Sequence, residues 1–422
     1  LDFYKFLKEN GGLPDIITCC RFSLHDASPL KDSLMDLSTT NAAGAVYDTY
    51  LNNFRNEDGS INWLPVCADA HGFVVNKDLF EKYDIIILGE RDHRDMSQYQ
   101  FVSEIISDRR FIQNVGHIFT EIGATNQTER ANNILGSEYE SYLDFEKDLM
   151  ELYRDLSSSY IWEKYNYWYL LSAIYRINTS LNDNQNLTLH FTDINFDWNN
   201  YFDINAYTDI YSRDSIMGCN FINEFDKILQ NQDEPRKKAL VIFNSRHSFR
   251  DHSKATWRKS AASVLFEHYP ERVANVMINT TNFTDVIDGP DYLIEQGQWD
   301  AAFKHVGNPR IGFDMIDSPF GEAILEYYDS PHEIRYKDVF TGFIFYKPIS
   351  EWILMTGIPG FVDEDFKSEY IRRYKLQFPN AEVRNILRFD IPYCNTLKIR
   401  DNYEGNDLSR EQVEKWINYW LE

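Results

Sequence analysis

No uninterrupted apolar run in this 422-residue chain approaches the roughly 18 residues that a membrane-spanning helix needs. Positive charge is also scarce. Lys and Arg number 42 against 66 Asp and Glu, a net charge of −24, and no basic stripe offsets that balance. A phosphate backbone or an anionic lipid surface would be repelled, so nucleic acid is not an expected partner. The five cysteines, Cys19, Cys20, Cys67, Cys219 and Cys394, are odd in number and scattered. They make neither a disulfide framework nor a zinc pattern, and Cys19 with Cys20 reads as two buried small residues. There is no Gly-x-Ser-x-Gly string and no Cys–His pairing to supply a nucleophile. Internal repeats and low-complexity tracts are absent. The chain opens at Leu1 without a Met or a leader-like stretch, which leaves a cytoplasmic and an exported bacterial protein both open.

Aromatic residues, by contrast, are plentiful at 15%, within an ordinary globular balance of 43% hydrophobic and 26% charged residues. Such a chain exceeds one ordinary core. We divide it into a small α/β segment, 1–84, a central α/β domain, 85–358, and a helical C-terminal tail, 359–422. Within the central part, strand-like apolar runs alternate with helical periodicity, the pattern of a mostly parallel sheet flanked by helices. Strands are expected at Ile85–Leu88, His117–Thr120, Leu187–Thr192, Ala239–Phe243 and Val273–Ile278. Helices are expected at Met96–Ile106, with Tyr99, Val102 and Ile106 on one face, and at Tyr142–Tyr153 and Tyr160–Ile177. Ser212–Leu229 follows, carrying Ile216, Phe221, Phe225 and Ile228, and then Ala255–Glu267. Phe303, Phe313, Phe320, Phe340, Phe343 and Phe345 complete the domain, and Asp365–Leu376 and Ser409–Leu421 are helical.

Ligands of parallel sheets bind beyond the carboxyl ends of the strands. There this sequence places Glu90, Arg91 and His93 after the first strand, Glu121 after the second, Asp193 after the third, and Asn244 and His247 after the fourth. One ionisable residue at a strand end is routine, whereas several converging on one edge point to a site. Glu90 precedes His93 by three residues, close enough to orient an imidazole that then acts as a base near neutral pH. Gly89 is read as the hinge of that exit. His117 and His190 fall inside strands and are expected to pack, while His25, His268, His305 and His332 have no supporting context.

Leu88-Gly89-Glu90-Arg91-Asp92-His93 resembles the first motif of the erythromycin esterase family, whose superfamily includes haem-uptake ChaN-like and Tiki-type proteins. Glu121 stands where those esterases carry a second glutamate. Arg213-Asp214-Ser215-Ile216-Met217 is similar to their Arg-Asp-x-x-Met helix, and Ala239–His247 to the strand ending in His-Asn-x-His. Here Asn244 replaces the first histidine of that last motif, and His252 is a spatial substitute. The resemblance implies hydrolysis of an ester or related acyl bond of a small-molecule substrate. His93, Glu90, Glu121, His247 and Arg213 would be catalytic, and Asp193, Asp214, Asn244, Arg91 and His252 would contact substrate. His93 would activate a water held by Glu90 and Glu121, with Arg213 and Asn244 or His247 facing the developing oxyanion. No cofactor is required on this reading; a divalent metal, as in the Tiki-type relatives, is the alternative. A non-catalytic binding protein for a haem-like or carbohydrate ligand is the third.

The first segment resembles part of the carbohydrate-binding solute receptors of ABC transporters. Leu13-Pro14-Asp15-Ile16, Asp58-Gly59-Ser60-Ile61 running to Leu64-Pro65, and Gly72–Tyr83 carry that likeness. It implies Trp63, Asp69 and His71 as ligand-side residues.

Overall fold

The structure, a computed structural model, describes residues 82–159, 162–181, 185–200, 210–250, 259–283, 289–325, 333–400 and 409–422. The receptor-like blocks before residue 82, with Trp63, Asp69 and His71, lie outside the described residues, as do His25, His252 and His332.

Nine strands are described: β1 (Ile85–Glu90), β2 (His117–Ala124), β3 (Thr188–Asp193), β4 (Ala239–Asn244), β5 (Val273–Ile278), β6 (Ile311–Asp314), β7 (Gly342–Phe345), β8 (Leu354–Thr356) and β9 (Lys398–Arg400). The longer described helices are α1 (Met96–Ser107), α2 (Thr128–Gly136), α3 (Tyr142–Arg154), α4 (Tyr165–Asn178), α5 (Ile210–Gln230), α6 (Ala261–His268), α7 (Gln298–His305), α8 (Lys367–Gln377) and α9 (Arg410–Tyr419). The seven-stranded sheet runs β3-β2-β4-β1-β5-β7-β6. Every pairing in it is parallel except β6 with β7. The chain is an α/β protein with a mostly parallel central sheet flanked by helices.

Alternation along the strands sorts their side chains onto two faces. Ile85 and Ile87 of β1, Phe119 of β2 and Val241 and Phe243 of β4 pack with α5 and α6 through Phe221, Phe225, Ala261 and Leu265. Leu88, Ile118, Leu240 and Ile242 turn the other way and meet α1 to α4 through Tyr99, Val102, Leu135, Leu149 and Leu171. A fully buried Phe such as Phe221 contributes about 1.5–3 kcal/mol. In α5 the buried stripe starts at Met217 and not at Ile216, which is 37% exposed. Phe303, Phe340, Phe343 and Phe345 form an aromatic layer with Trp299 beside β7.

The C-terminal helices share this core. Tyr370 of α8, Ile386 and Cys394 pack in the cluster that contains Leu88 and Ile118, and Val413 and Ile417 of α9 pack on Leu293 and Trp352. The antiparallel pairs β6–β7 and β8–β9 add to the elements expected from periodicity. Those strands have only three or four residues, too few to display a period.

Local capping defines the helix that follows β1. The Asp95 carboxylate accepts the backbone N–H of Ser97 at 2.7 Å and so caps α1, while it also pairs with Arg91.

Candidate functional site

β1 and β4 run in register, with Glu90 opposite Asn244 at their carboxyl ends. Beyond Glu90 the chain must turn back, and two amide side chains hold that turn. Asn244 Nδ2 donates to the carbonyls of Arg91 at 2.5 Å and Glu90 at 3.2 Å. Gln98 accepts the Arg91 N–H at 2.9 Å and donates to the Asp92 carbonyl at 2.9 Å. The turn returns His93 to Glu90, with 3.1 Å between Nδ1 and Oε2. Glu90 is buried, whereas the His93 side chain stays 22% exposed and meets Trp162 edge-on at 5.0 Å between ring centroids. Glu90 Oε1 accepts from Asn166 at 3.3 Å and from Gln98 at 3.5 Å. Burial raises the Glu90 carboxyl above its ordinary range, and His93 offsets only part of that.

A second group forms around Glu121. The pairing of β2 with β4 ends at Thr120, and the register of β2 with β3 slips between Thr120 and Ala124. Gly123 lies in this irregularity at φ 122°, and the Phe191 ring packs so close that a Cβ there would sit 2.2 Å from it. Where the ladder bonding to β4 stops, the Glu121 side chain takes over: Oε2 accepts the Asn244 N–H at 2.8 Å. Glu121 Oε1 faces Arg213 at 3.2 Å and His247 Nε2 at 3.5 Å. Arg213, from α5, also forks onto Asp193 at the end of β3, Nε to Oδ1 at 2.9 Å and Nη2 to Oδ2 at 3.0 Å. The next residue of α5, Asp214, holds His247 Nδ1 at 2.5 Å and accepts the Ala261 N–H at 2.9 Å. Burial alone would raise Glu121, but His247, then Arg213 and His93, outweigh it and hold its carboxyl down to about 2.

His93, Glu90, Glu121, Asp193, Arg213, Asp214, Asn244 and His247 therefore belong to one hydrogen-bonded cluster at the carboxyl edge of β3, β2, β4 and β1. It contains two carboxylate–imidazole pairs, Glu90 with His93 and Asp214 with His247, and Glu121 feels both rings.

Other placements depart from expectation. Arg91, expected to touch substrate, is fully engaged elsewhere. Its guanidinium pairs with Asp95, donates to the Asn279 carbonyl at 2.6 Å and lies over Trp352 at 3.7 Å. Side chains alternate about a strand end, so the residue after an inward Glu90 faces away. Asn244, expected to face the oxyanion, spends its amide on the two carbonyls of the turn. Gly89 is no hinge: it lies inside β1, opposite Phe243 and Met277, with Ser248 Oγ 3.0 Å from where a Cβ would be. His117 and His190 pack as expected, Nδ1 to Nε2 at 3.1 Å, within the sheet.

The arrangement does not fit a resident divalent ion. The Glu121 and Asp193 oxygens that would ligate one meet the Arg213 guanidinium instead. Among the described residues no three His, Cys, Asp or Glu side chains group as metal ligands.

Gln98, Asn166 and Trp162 were not singled out from sequence. The available signal was a polar residue on a buried helix face: Gln98 is 1% and Asn166 0% exposed on helices otherwise packed by apolar side chains.

The fold and cluster together define an α/β protein with an ionisable constellation at the carboxyl edge of a parallel sheet. No known family model matches the chain, and no curated protein does. Solved structures similar to it include a protein from Bacillus cereus, at 11% identity over 64% of this chain and 89% of that one, with a TM-score of 0.39. A mutant of the erythromycin esterase EreC in its open conformation is similar at 9% identity, over 63% and 91%, with a TM-score of 0.35. Haem-bound ChaN of Campylobacter jejuni is similar at 12% identity, over 47% and 83%, with a TM-score of 0.25.

Proposed function

We propose that this protein hydrolyses an ester or related acyl bond of a small molecule, by direct attack of water and without a covalent intermediate. The observation that carries this reading is the Glu90–His93 pair, 3.1 Å apart, in one cluster with the buried carboxylate of Glu121. A carboxyl group on one imidazole nitrogen orients the other as a base. The motif resemblance of Leu88–His93, Arg213–Met217 and Ala239–His247 to the erythromycin esterases agrees with it.

Glu90 holds Nδ1–H of His93 and so presents Nε2 as the base. Glu121, ionised and fixed by Arg213 and the Asn244 N–H, accepts a hydrogen bond from the attacking water. The water oxygen bonds to the acyl carbon while its proton passes to His93 Nε2. That proton then goes to the leaving oxygen as the acyl–oxygen bond breaks, giving one acid and one alcohol. Asp214 and His247 keep Glu121 in place.

The test is hydrolysis of 4-nitrophenyl esters and macrolactones by the natural protein and by His93→Ala. We expect a loss of roughly 10²–10⁴ in kcat with the melting temperature retained. Equal rates for the two proteins would remove the proposal.

A further inference from the structure

An acyl carbon attacked here develops negative charge on its oxygen, and the cluster is itself rich in carboxylates. Glu121 and Asp193 share the single guanidinium of Arg213. Asn244, the amide expected to help, is bound to the carbonyls of Glu90 and Arg91, and the Arg91 guanidinium is bound to Asp95 and Asn279. Stabilisation must come from a donor that is neither neutralised by a carboxylate nor already used.

Among the described residues, the buried indole Nε1 of Trp162 has no hydrogen-bond partner. Buried donors are nearly always paired, so a bare one beside a candidate site asks for an acceptor from outside the protein. Trp162 packs edge-on to His93 at 5.0 Å between centroids. Its backbone neighbours are fixed: Lys164 bridges to Thr356, and the Gly357 N–H donates to the Glu163 carbonyl at 2.8 Å. The ring is therefore carried by a pinned segment. The hydroxyl of Tyr99, fully buried against Tyr167, faces Glu90 and is engaged within the site itself.

We propose that Trp162 is a substrate-contacting residue, whose indole N–H donates to the carbonyl oxygen of the acyl group attacked beside His93 and holds it more tightly as charge builds. The inference rests on the hydrolytic reading above and assigns that site an oxygen acceptor next to an aromatic wall: a carbonyl compound with an apolar face toward the indole.

The test uses the full chain and 4-nitrophenyl butyrate, with Trp162→Phe and with the sulfur isostere benzothienylalanine at the same position. The isostere removes only the N–H, so it remains informative if the Phe variant folds poorly. A fall of roughly a hundredfold in kcat for both, with KM within about twofold, supports the proposal. Unchanged kcat in the isostere, while His93→Ala has lost turnover, overturns the proposal and leaves the hydrolytic reading standing. A natural protein no faster than His93→Ala overturns both.

Discussion

His247 Nδ1 and Asp214 Oδ1 lie 2.5 Å apart, and the opposite nitrogen of the same ring reaches toward Glu121 at 3.5 Å. The two carboxylates come from α5 and β2, and the histidine from the turn after β4. The ring therefore links three separate stretches of chain at one point on the sheet edge. A carboxylate on Nδ1 fixes the ring tautomer, which leaves Nε2 to act on Glu121. Asp214→Asn is predicted to let the ring reorient and to lower kcat by about tenfold to a hundredfold with little change in melting temperature. Steady-state kinetics with 4-nitrophenyl butyrate checks this; an unchanged kcat would leave the pair with no part in turnover.

Arg213 is a stability residue as much as a site residue. Its removal leaves Asp193, side chain 8% exposed, without its counter-charge, and Glu121, 4% exposed, with only the neighbouring histidines. Arg213→Met is predicted to cost about 3–5 kcal/mol of folding stability. Arg213→Lys should recover only part, because one ammonium cannot fork onto two carboxylates. Urea unfolding of the three proteins measures both; equal midpoints would contradict the ion-pair geometry.

Asn244 is predicted to act on the turn and not on the substrate. Asn244→Leu removes the amide's two hydrogen bonds to the Glu90 and Arg91 carbonyls and should cost about 1–3 kcal/mol. Asn244→His should be no better, since an imidazole cannot reproduce an amide's paired donors. Melting curves that match the natural protein in both variants would show that the turn does not need the amide.

The buried histidine pair sets an acid limit on stability. Burial is the main cause that holds His117 down to about 4 and His190 to about 3. An exposed histidine in the unfolded chain titrates near 6.5. With folded values depressed, the contribution is complete above about 6.5, and it is lost as pH falls toward 4, where the unfolded chain takes up protons that the native pair resists. Calorimetry between pH 7 and 4 should show a steeper fall in melting temperature for the natural protein than for a His117→Gln, His190→Asn double variant. Parallel curves would contradict this.

Chelation gives a further check. Because Arg213 occupies the lone pairs that a metal would need, EDTA treatment followed by gel filtration is predicted to leave turnover of 4-nitrophenyl butyrate unchanged. Loss of turnover that Zn²⁺ or Mn²⁺ restores would reverse this part of the account.

Much of the sheet was legible because its central strands are buried on both faces and so read as short apolar runs. Val273–Ile278 was found at its full extent. β1 to β4 each run past the expected carboxyl end, since polar residues such as Glu90, Asp193 and Asn244 still pair in the ladder while carrying site groups. β2 extends furthest, to Ala124, because its slip in register has no sequence period. The residues of the cluster were legible as types at strand ends, and Arg213 and Asp214 through their motif. Their orientation was not. Whether Arg91 turns outward or Asn244 bonds to backbone depends on partners such as Asn279 and the β1 turn, far away in sequence. The bare indole of Trp162 was equally invisible, because an unpaired donor is a property of its surroundings and not of its residue type.

The most direct test of the whole is a double-mutant cycle on kcat/KM with His93→Ala and His247→Ala, using 4-nitrophenyl butyrate. If the rings that follow β1 and β4 serve one reacting centre through Glu121, the double variant should lose little more than the more damaging single variant. Losses that multiply, or a His247→Ala protein as fast as the natural one, would show two independent sites and contradict the account.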